Sequence, residues 1–143
     1  MLKRTSALLA LALAALLPAS PVHAQAPKEV VIGVLYPLSG NAAQVGIDSV
    51  NAVRLAVDII NANHDLNLPL GKGEGLPGLG GAKVRVIFVD HQGKPDVGQA
   101  EAERLITQEK VHALVGCWNS GVTATASQVA ERYGIPFMNP ESS

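Results

Sequence analysis

Apolar positions change their spacing in a regular alternation along this chain. Glu29 to Tyr36 (EVVIGVLY) is β-branched and nearly continuously apolar, the pattern of a parallel strand buried on both faces. From about Ala42 to Asn61 the apolar residues Val50, Val53, Val57 and Ile60 return at helical spacing. Ala52, Leu55, Ala56 and Ile59 widen that stripe, which predicts a helix lying against a sheet. Lys83 to Asp90 (KVRVIFVD) predicts a second strand. The turn His91-Gln92-Gly93-Lys94-Pro95 follows, then a helix to about Lys110 with Asp96 as its N-cap. Ala100, Leu105 and Ile106 are expected on its inner face, and Glu101, Glu103, Arg104 and Glu109 in water. Ala113 to Cys117 predicts the third strand, Val122 to Tyr133 the third helix with Gly134 as its stop, and Pro136 to Asn139 the fourth strand.

The order β-α-β-α-β-α-β forces parallel strands with right-handed crossovers, hence an α/β fold with a doubly wound parallel sheet. Ala62 to Gly81 interrupts it with six glycines and two prolines. It joins a helix to a strand, so it is expected at the sheet end away from any ligand crevice. Gly71-Lys72-Gly73 within it lacks the spacing of a phosphate loop.

In open α/β sheets, ligands sit at the turns leaving the carboxyl ends of the strands. Of the four such turns, the third is the richest in chemistry: Trp118-Asn119-Ser120-Gly121. There Ser120, Gly121, Val122 and Thr123 are expected to offer free backbone N–H groups beside two hydroxyls, a combination that attracts a carboxylate. The competing expectation is that Ser120 simply caps the helix. Trp118, the sole tryptophan, belongs either in the core or at the crevice edge, stacked on a ligand. Asp90, His91 and Ser120 do not form a hydrolase triad, because the serine lacks the G-x-S-x-G elbow. No G-x-G-x-x-G follows the first strand, and His64, His91 and His112 lack metal-ligand spacing. Neither an enzyme nor a cofactor or metal is expected.

Composition narrows this further. The 143 residues suffice for one domain at most, and with 3% aromatics the core must come from Ala, Val, Leu and Ile. A net charge of −1 without basic clusters argues against nucleic acid or an anionic membrane as main partner. Cys117 stands alone, which excludes an intrachain disulfide and a cysteine-based zinc site. Lys3 and Arg4, the Ala/Leu run Ser6 to Leu17, Pro18 and Val22-His23-Ala24 together read as an export signal over residues 1–24, cleaved after Ala24. The apolar run of 12 residues is shorter than the roughly 20 of a spanning helix, so an uncleaved membrane anchor is the lesser alternative. Gln25, not a lipid-bearing cysteine, stands directly after the cleavage point, and residues 25–143 are expected in the periplasm.

Several stretches carry a resemblance: VVIGVLYPLSG (Val30 to Gly40), the D-x-x-x-x-P turn from Asp90 to Pro95, LITQEKVHALVG (Leu105 to Gly116), the serine turn, and YGIPFMNPESS (Tyr133 to Ser143). In order and spacing the chain resembles the type I periplasmic binding proteins, in the branched-chain amino acid branch, the exported solute receptors of ABC importers. The resemblance implies two α/β lobes closing around a small-molecule ligand, an amino acid or similar carboxylate, and delivery to a membrane permease. It implies that Ser120 and Thr123 hold the ligand carboxylate beside Gly121, with Trp118 at the position of a frequent aromatic residue. It maps Glu141 and Ser143 onto the contacts of the fourth turn, and Val45 onto a contact from the first helix region. Glu141 departs from the family by being an acid where a small residue is common.

Relatives in the family are considerably longer, and this chain stops inside the fourth turn. The expectation is an incomplete N-terminal lobe, truncated after the fourth strand, that exposes apolar surface and binds ligand poorly. Alternatives are the ligand-sensing domain of a receptor or regulator, an exported enzyme on the same sheet, or a non-functional fragment. Amino acids, amides, urea and aromatic acids all lie within the range the resemblance implies.

Overall fold

A computed structural model describes residues 26–142; the expected signal segment 1–24 and Ser143 lie outside the described residues. Four parallel strands form one sheet: β1 (Glu29–Tyr36), β2 (Lys83–Asp90), β3 (Ala113–Gly116) and β4 (Phe137–Met138), in the order β2-β1-β3-β4. Three helices connect them: α1 (Ala43–Asn61), α2 (Pro95–Thr107) and α3 (Ser120–Tyr133). The doubly wound parallel α/β arrangement is as the alternating pattern predicts. The sheet steps outward from β1 in both directions, so the crevice of the fold opens between β1 and β3.

Register brings the carboxyl ends together. Tyr36 lies opposite Asp90, Leu35 opposite Gly116, and Val115 opposite Met138. The turns after all four strands therefore leave from one edge. At that edge Gly116 has φ +140, and a Cβ there would overlap the Leu35 carbonyl, so only glycine lets β3 end this close to β1.

The two faces of the sheet are covered unequally. α2 and α3 bury the main core, in which Leu35, Leu105, Leu114, Val122 and Val129 are fully buried. On the other face the buried cluster is smaller, made of Val34 and Tyr36 of β1 and Val50 of α1. The wide stripe expected for α1 is only partly used: Val53, Val57 and Ile60 are half-buried, whereas Ala52, Ala56 and Leu55, at 61% exposure, face outward. A single helix on that face touches β1 and β2 and has no neighbour on its far side among the described residues.

Several boundaries differ from expectation for local reasons. Lys94, not Asp96, occupies the cap position of α2, because Pro95 with its fixed φ takes the first helical place; Asp96 falls in the first turn. Gly98, Ala102, Leu105 and Ile106 form the inner face, while Ala100 is exposed, one residue out of phase with that stripe. Glu101, Glu103 and Arg104 are half-buried, and Arg104 pairs with Glu101 at 2.9 Å and Glu109 at 2.8 Å. β3 ends at Gly116 and leaves Cys117 buried just beyond it. β4 is two residues long.

The glycine-rich excursion is ordered at its stem, at the end of the sheet away from the crevice as expected. The Asn61 side chain hydrogen-bonds both backbone groups of Val84, at 2.7 and 2.8 Å, and the Gly75 amide donates to the Ile60 carbonyl at 2.7 Å. A 3₁₀ turn at Pro77–Leu79 lies inside it.

Candidate functional site

The third turn is held from behind by His91. This imidazole is fully buried; its Nε2–H donates to the Cys117 carbonyl at 2.9 Å, and Nδ1 accepts the Gly93 amide at 3.0 Å. Those two bonds specify the neutral Nε2–H tautomer. Burial draws the imidazole below its usual range, against the opposing pull of the Cys117 carbonyl and Asp90. Burial likewise pushes the Cys117 thiol up to about 12, with a hydrogen bond to Thr123 acting in the opposite direction.

Asp90, beside His91, ties the second turn to the first. Its carboxylate accepts the Leu38 and Gln92 amides, each at 2.8 Å, and the Ser39 hydroxyl. Desolvation opposes the charge, but these donors and His91 together hold the carboxyl below its ordinary range. Asp90 is thus a turn partner, with two donors on Oδ1 and one on Oδ2.

After Cys117 the chain passes through Trp118, a non-glycine residue at φ +72. That left-handed conformation costs on the order of 1 kcal/mol or more and is sustained by the bonds on either side. It leaves the indole 38% exposed at the carboxyl edge of the sheet, so Trp118 is at the crevice edge and not in the core. Asn119, not Ser120, precedes α3 in the cap position, and it makes no side-chain cap bond. Its Oδ1 is buried without a partner among the described residues. Ser120 is the first helical residue, exposed, with a hydroxyl that bonds to none of the described residues. The amides of Ser120, Gly121 and Val122 also find no acceptor among the described residues. The Thr123 amide does: it donates to the Asn119 carbonyl at 2.9 Å, so three free donors stand where four were expected.

The remaining candidates fall on the surrounding ends. Thr123 Oγ1 lies 3.1 Å from the Asn119 carbonyl and 2.7 Å from Ser142 Oγ, which pins the fourth turn to the first turn of α3. Gly121 is exposed, packed beside Pro95. Val45 is exposed in the first turn of α1, and its carbonyl accepts the Ser49 hydroxyl at 2.9 Å. Glu141, in the fourth turn, accepts the Tyr36 hydroxyl at 2.9 Å and approaches Ser49 Oγ at 3.3 Å. Burial, then the hydrogen bond and charge of Glu141, push the Tyr36 phenol well above its ordinary range, so it stays a donor. Ser143 lies outside the described residues.

Sequence reasoning missed Tyr36, Ser49, Asn139 and Ser142 in this cluster, and missed His91 as its brace. Tyr36 reads as the last residue of an apolar strand, and its hydroxyl gains meaning only when β4 brings Glu141 alongside. Asn139 organises the fourth turn: its Oδ1 accepts the Ser142 amide at 3.2 Å and its Nδ2 donates to the Ser142 carbonyl at 3.1 Å. An Asn-Pro dipeptide leaving a strand was the available signal for that turn.

An exposed helix start with free amides, flanked by hydroxyls and placed where the strand order reverses, suits a small anion. No group of three or more His, Cys, Asp or Glu among the described residues is placed to hold a metal ion, and no described helix is long and apolar enough to cross a membrane.

Comparison with known proteins agrees with this architecture. The family model described as "Periplasmic binding protein" matches residues 29–143. Leu/Ile/Val-binding protein homolog 7 of Brucella suis biovar 1 is 37% identical over 132 residues, 91% of this chain and 28% of the relative. The branched-chain amino acid transporter substrate binding protein LivJ of Streptococcus pneumoniae, solved with isoleucine, superposes with a TM-score of 0.65 at 30% identity, over 81% of this chain and 30% of that one. A solute binding protein of an ABC transporter from R. palustris, solved with benzoate, gives 0.62 at 26% identity, over 80% of this chain and 28% of that one. The chain thus spans less than a third of the length of these relatives. With the parallel order β2-β1-β3-β4, the match over the whole described sheet decides the family: the chain belongs to the periplasmic binding proteins, on the side that carries the branched-chain amino acid substrate-binding proteins.

Proposed function

We propose that this segment is the N-terminal lobe of an extracytoplasmic solute-binding component of an ABC importer, exported by a cleaved signal and serving a membrane permease. Its ligand is an amino acid or a related small carboxylate or amide. The observation that carries the reading is the start of α3, where the Ser120, Gly121 and Val122 amides and the Ser120 hydroxyl find no partner among the described residues. Unpaired amides at a helix start, with the positive end of its dipole, favour a carboxylate. Thr123 would complete the carboxylate site, Trp118 would cover the ligand, and Val45, Glu141 and Ser143 would line the sides.

Binding without turnover is the expected activity. The test is a thermal-shift panel of amino acids, amides, urea and aromatic acids on the full-length gene product, followed by calorimetry. Ser120→Ala should weaken the best ligand by about 1–3 kcal/mol, the scale of one charge-assisted hydrogen bond. Unchanged affinity in that variant would remove Ser120 from the site.

A further inference from the structure

We propose that the open edge of β2 is a self-association surface, through which two copies of the protein pair their β2 strands antiparallel about Ile87 and join their sheets into one.

The alternation along β2 decides which backbone groups are spare. β2 is an outer strand of the described sheet and pairs on one side with β1. The Lys83 amide donates to the Lys28 carbonyl and the His91 amide to the Tyr36 carbonyl, so the odd-numbered residues turn their backbone toward β1. Val84, Val86 and Phe88 therefore turn theirs outward. The Asn61 side chain fills both groups of Val84, at 2.7 and 2.8 Å, as a neighbouring strand would. The N–H and C=O groups of Val86 and Phe88 find no partner among the described residues. Such an edge is a template for another strand.

This window of two residues fits a second β2. A two-fold axis at Ile87 sets Val86 against Phe88 of the second copy, and Phe88 against its Val86. Each of these pairs exchanges two hydrogen bonds, so all the spare groups of both copies are taken up, and Asn61 stops the ladder from running further. The central cross-strand pairs, Val86 with Phe88 and Ile87 with Ile87, are aromatic or β-branched, the types that favour an antiparallel contact. Moving the axis by one residue would set Val84, already held by Asn61, or Asp90, at the strand end, against the second copy.

α1 adds charge complementarity. Above β2 it carries Arg54, whose guanidinium lies 5.1 Å from the Phe88 ring centre and makes no ion pair among the described residues. Asp58 follows one turn later on the same flank; its Oδ2 meets His64 at 3.1 Å, and its Oδ1 has no partner among the described residues. α1 runs back from the carboxyl edge of the sheet to the amino edge, antiparallel to β2. The step of about 6 Å from Arg54 to Asp58 thus matches the step of about 7 Å from Phe88 back to Val86. Because Val86 faces Phe88 of the second copy, Asp58 comes level with that copy's Arg54, and the two-fold repeats the pair. Ile47, two turns before Arg54, and Leu55, beside Asp58, are exposed on this flank and add apolar surface to the contact.

Sedimentation velocity on the full-length gene product between about 5 and 500 μM tests the inference, since a contact this short is weak and concentration-dependent. A monomer–dimer equilibrium is expected. Arg54→Asp and Asp58→Arg should each raise the dimer dissociation constant at least about tenfold, because every reversal sets like charges together twice. The double variant should return to within about threefold of the wild type, as the exchanged charges pair again. A protein that stays monomeric across the range overturns the inference. So does a dimer that the single reversals leave unmoved, or a double variant no tighter than the singles; the proposed function survives each of these results.

Discussion

The buried imidazole of His91 donates to the backbone carbonyl of Cys117 at 2.9 Å, across a sequence separation of 26 residues. This one bond joins the turn after β2 to the turn after β3, although β1 lies between those strands in the sheet. It fixes the chain just before Trp118 turns into the left-handed region, and so sets where α3 begins.

Because burial holds His91 below its usual value of about 6.5, the unfolded chain takes up a proton that the native state refuses as pH falls through that value. Native stability is therefore complete above about pH 6.5 and declines as pH drops from there toward the depressed folded value. Asp90 acts in the same direction but in a more acidic window, below the ordinary carboxylate range, where its native hydrogen bonds are lost on protonation. Melting temperatures from pH 8 to 5 should show the decline in the wild type and a flatter profile in His91→Gln. Parallel profiles would assign the acid sensitivity elsewhere.

Gly98 of α2 packs so closely on α3 that a Cβ there would overlap Val122 Cγ1. Alanine is favoured over glycine in a helix by about 1 kcal/mol, whereas overpacking a stiff β-branched neighbour costs about 1–3 kcal/mol. Gly98→Ala should thus be net destabilising. Val122→Ala should be costly alone yet couple favourably with Gly98→Ala by about 1 kcal/mol, since it removes the clashing methyl. Additive effects in denaturant titrations of the two single variants and the double would contradict that packing.

Cys117 should be chemically silent in the folded protein. Its thiol is buried and pushed up to about 12, so little thiolate forms at neutral pH. Iodoacetamide at pH 7.5 should label it slowly in the native protein and quickly once denatured, with mass spectrometry as the readout. Equal rates would mean that the third turn opens readily.

Thr123 brackets the third and fourth turns through Asn119 and Ser142. Thr123→Val keeps the shape but removes the hydroxyl, and should cost about 0.5–1.5 kcal/mol of stability along with ligand affinity. Thr123→Ser should restore most of both. A valine variant that binds and melts like the wild type would show the bracket to be idle.

The sheet was legible in the chain because a covered parallel strand needs an apolar run, and VVIGVLY, VIFV within KVRVIFVD, and ALVG are such runs. The third turn was legible too, since a polar cluster between an apolar run and a helical stripe marks a strand-to-helix junction. What the pattern misassigned was phase. Ala100 and Leu55 belong to apolar stripes by spacing, yet the side each presents depends on which neighbours pack against the helix, and α1 has sheet on one side alone.

The candidate site divides along the same line. Residue types alone marked Ser120, Thr123 and Trp118, because hydroxyls and amides at a helix start carry their chemistry locally. That Thr123 is a bracket, that Asn119 holds the cap position, that His91 braces Cys117, and that Tyr36 and Ser49 meet Glu141 were decided by tertiary structure. Apart from the local cap at Asn119, these relationships link separate turns or elements, 105 residues apart for Tyr36 and Glu141, and strand register determines which side chains meet at the crevice.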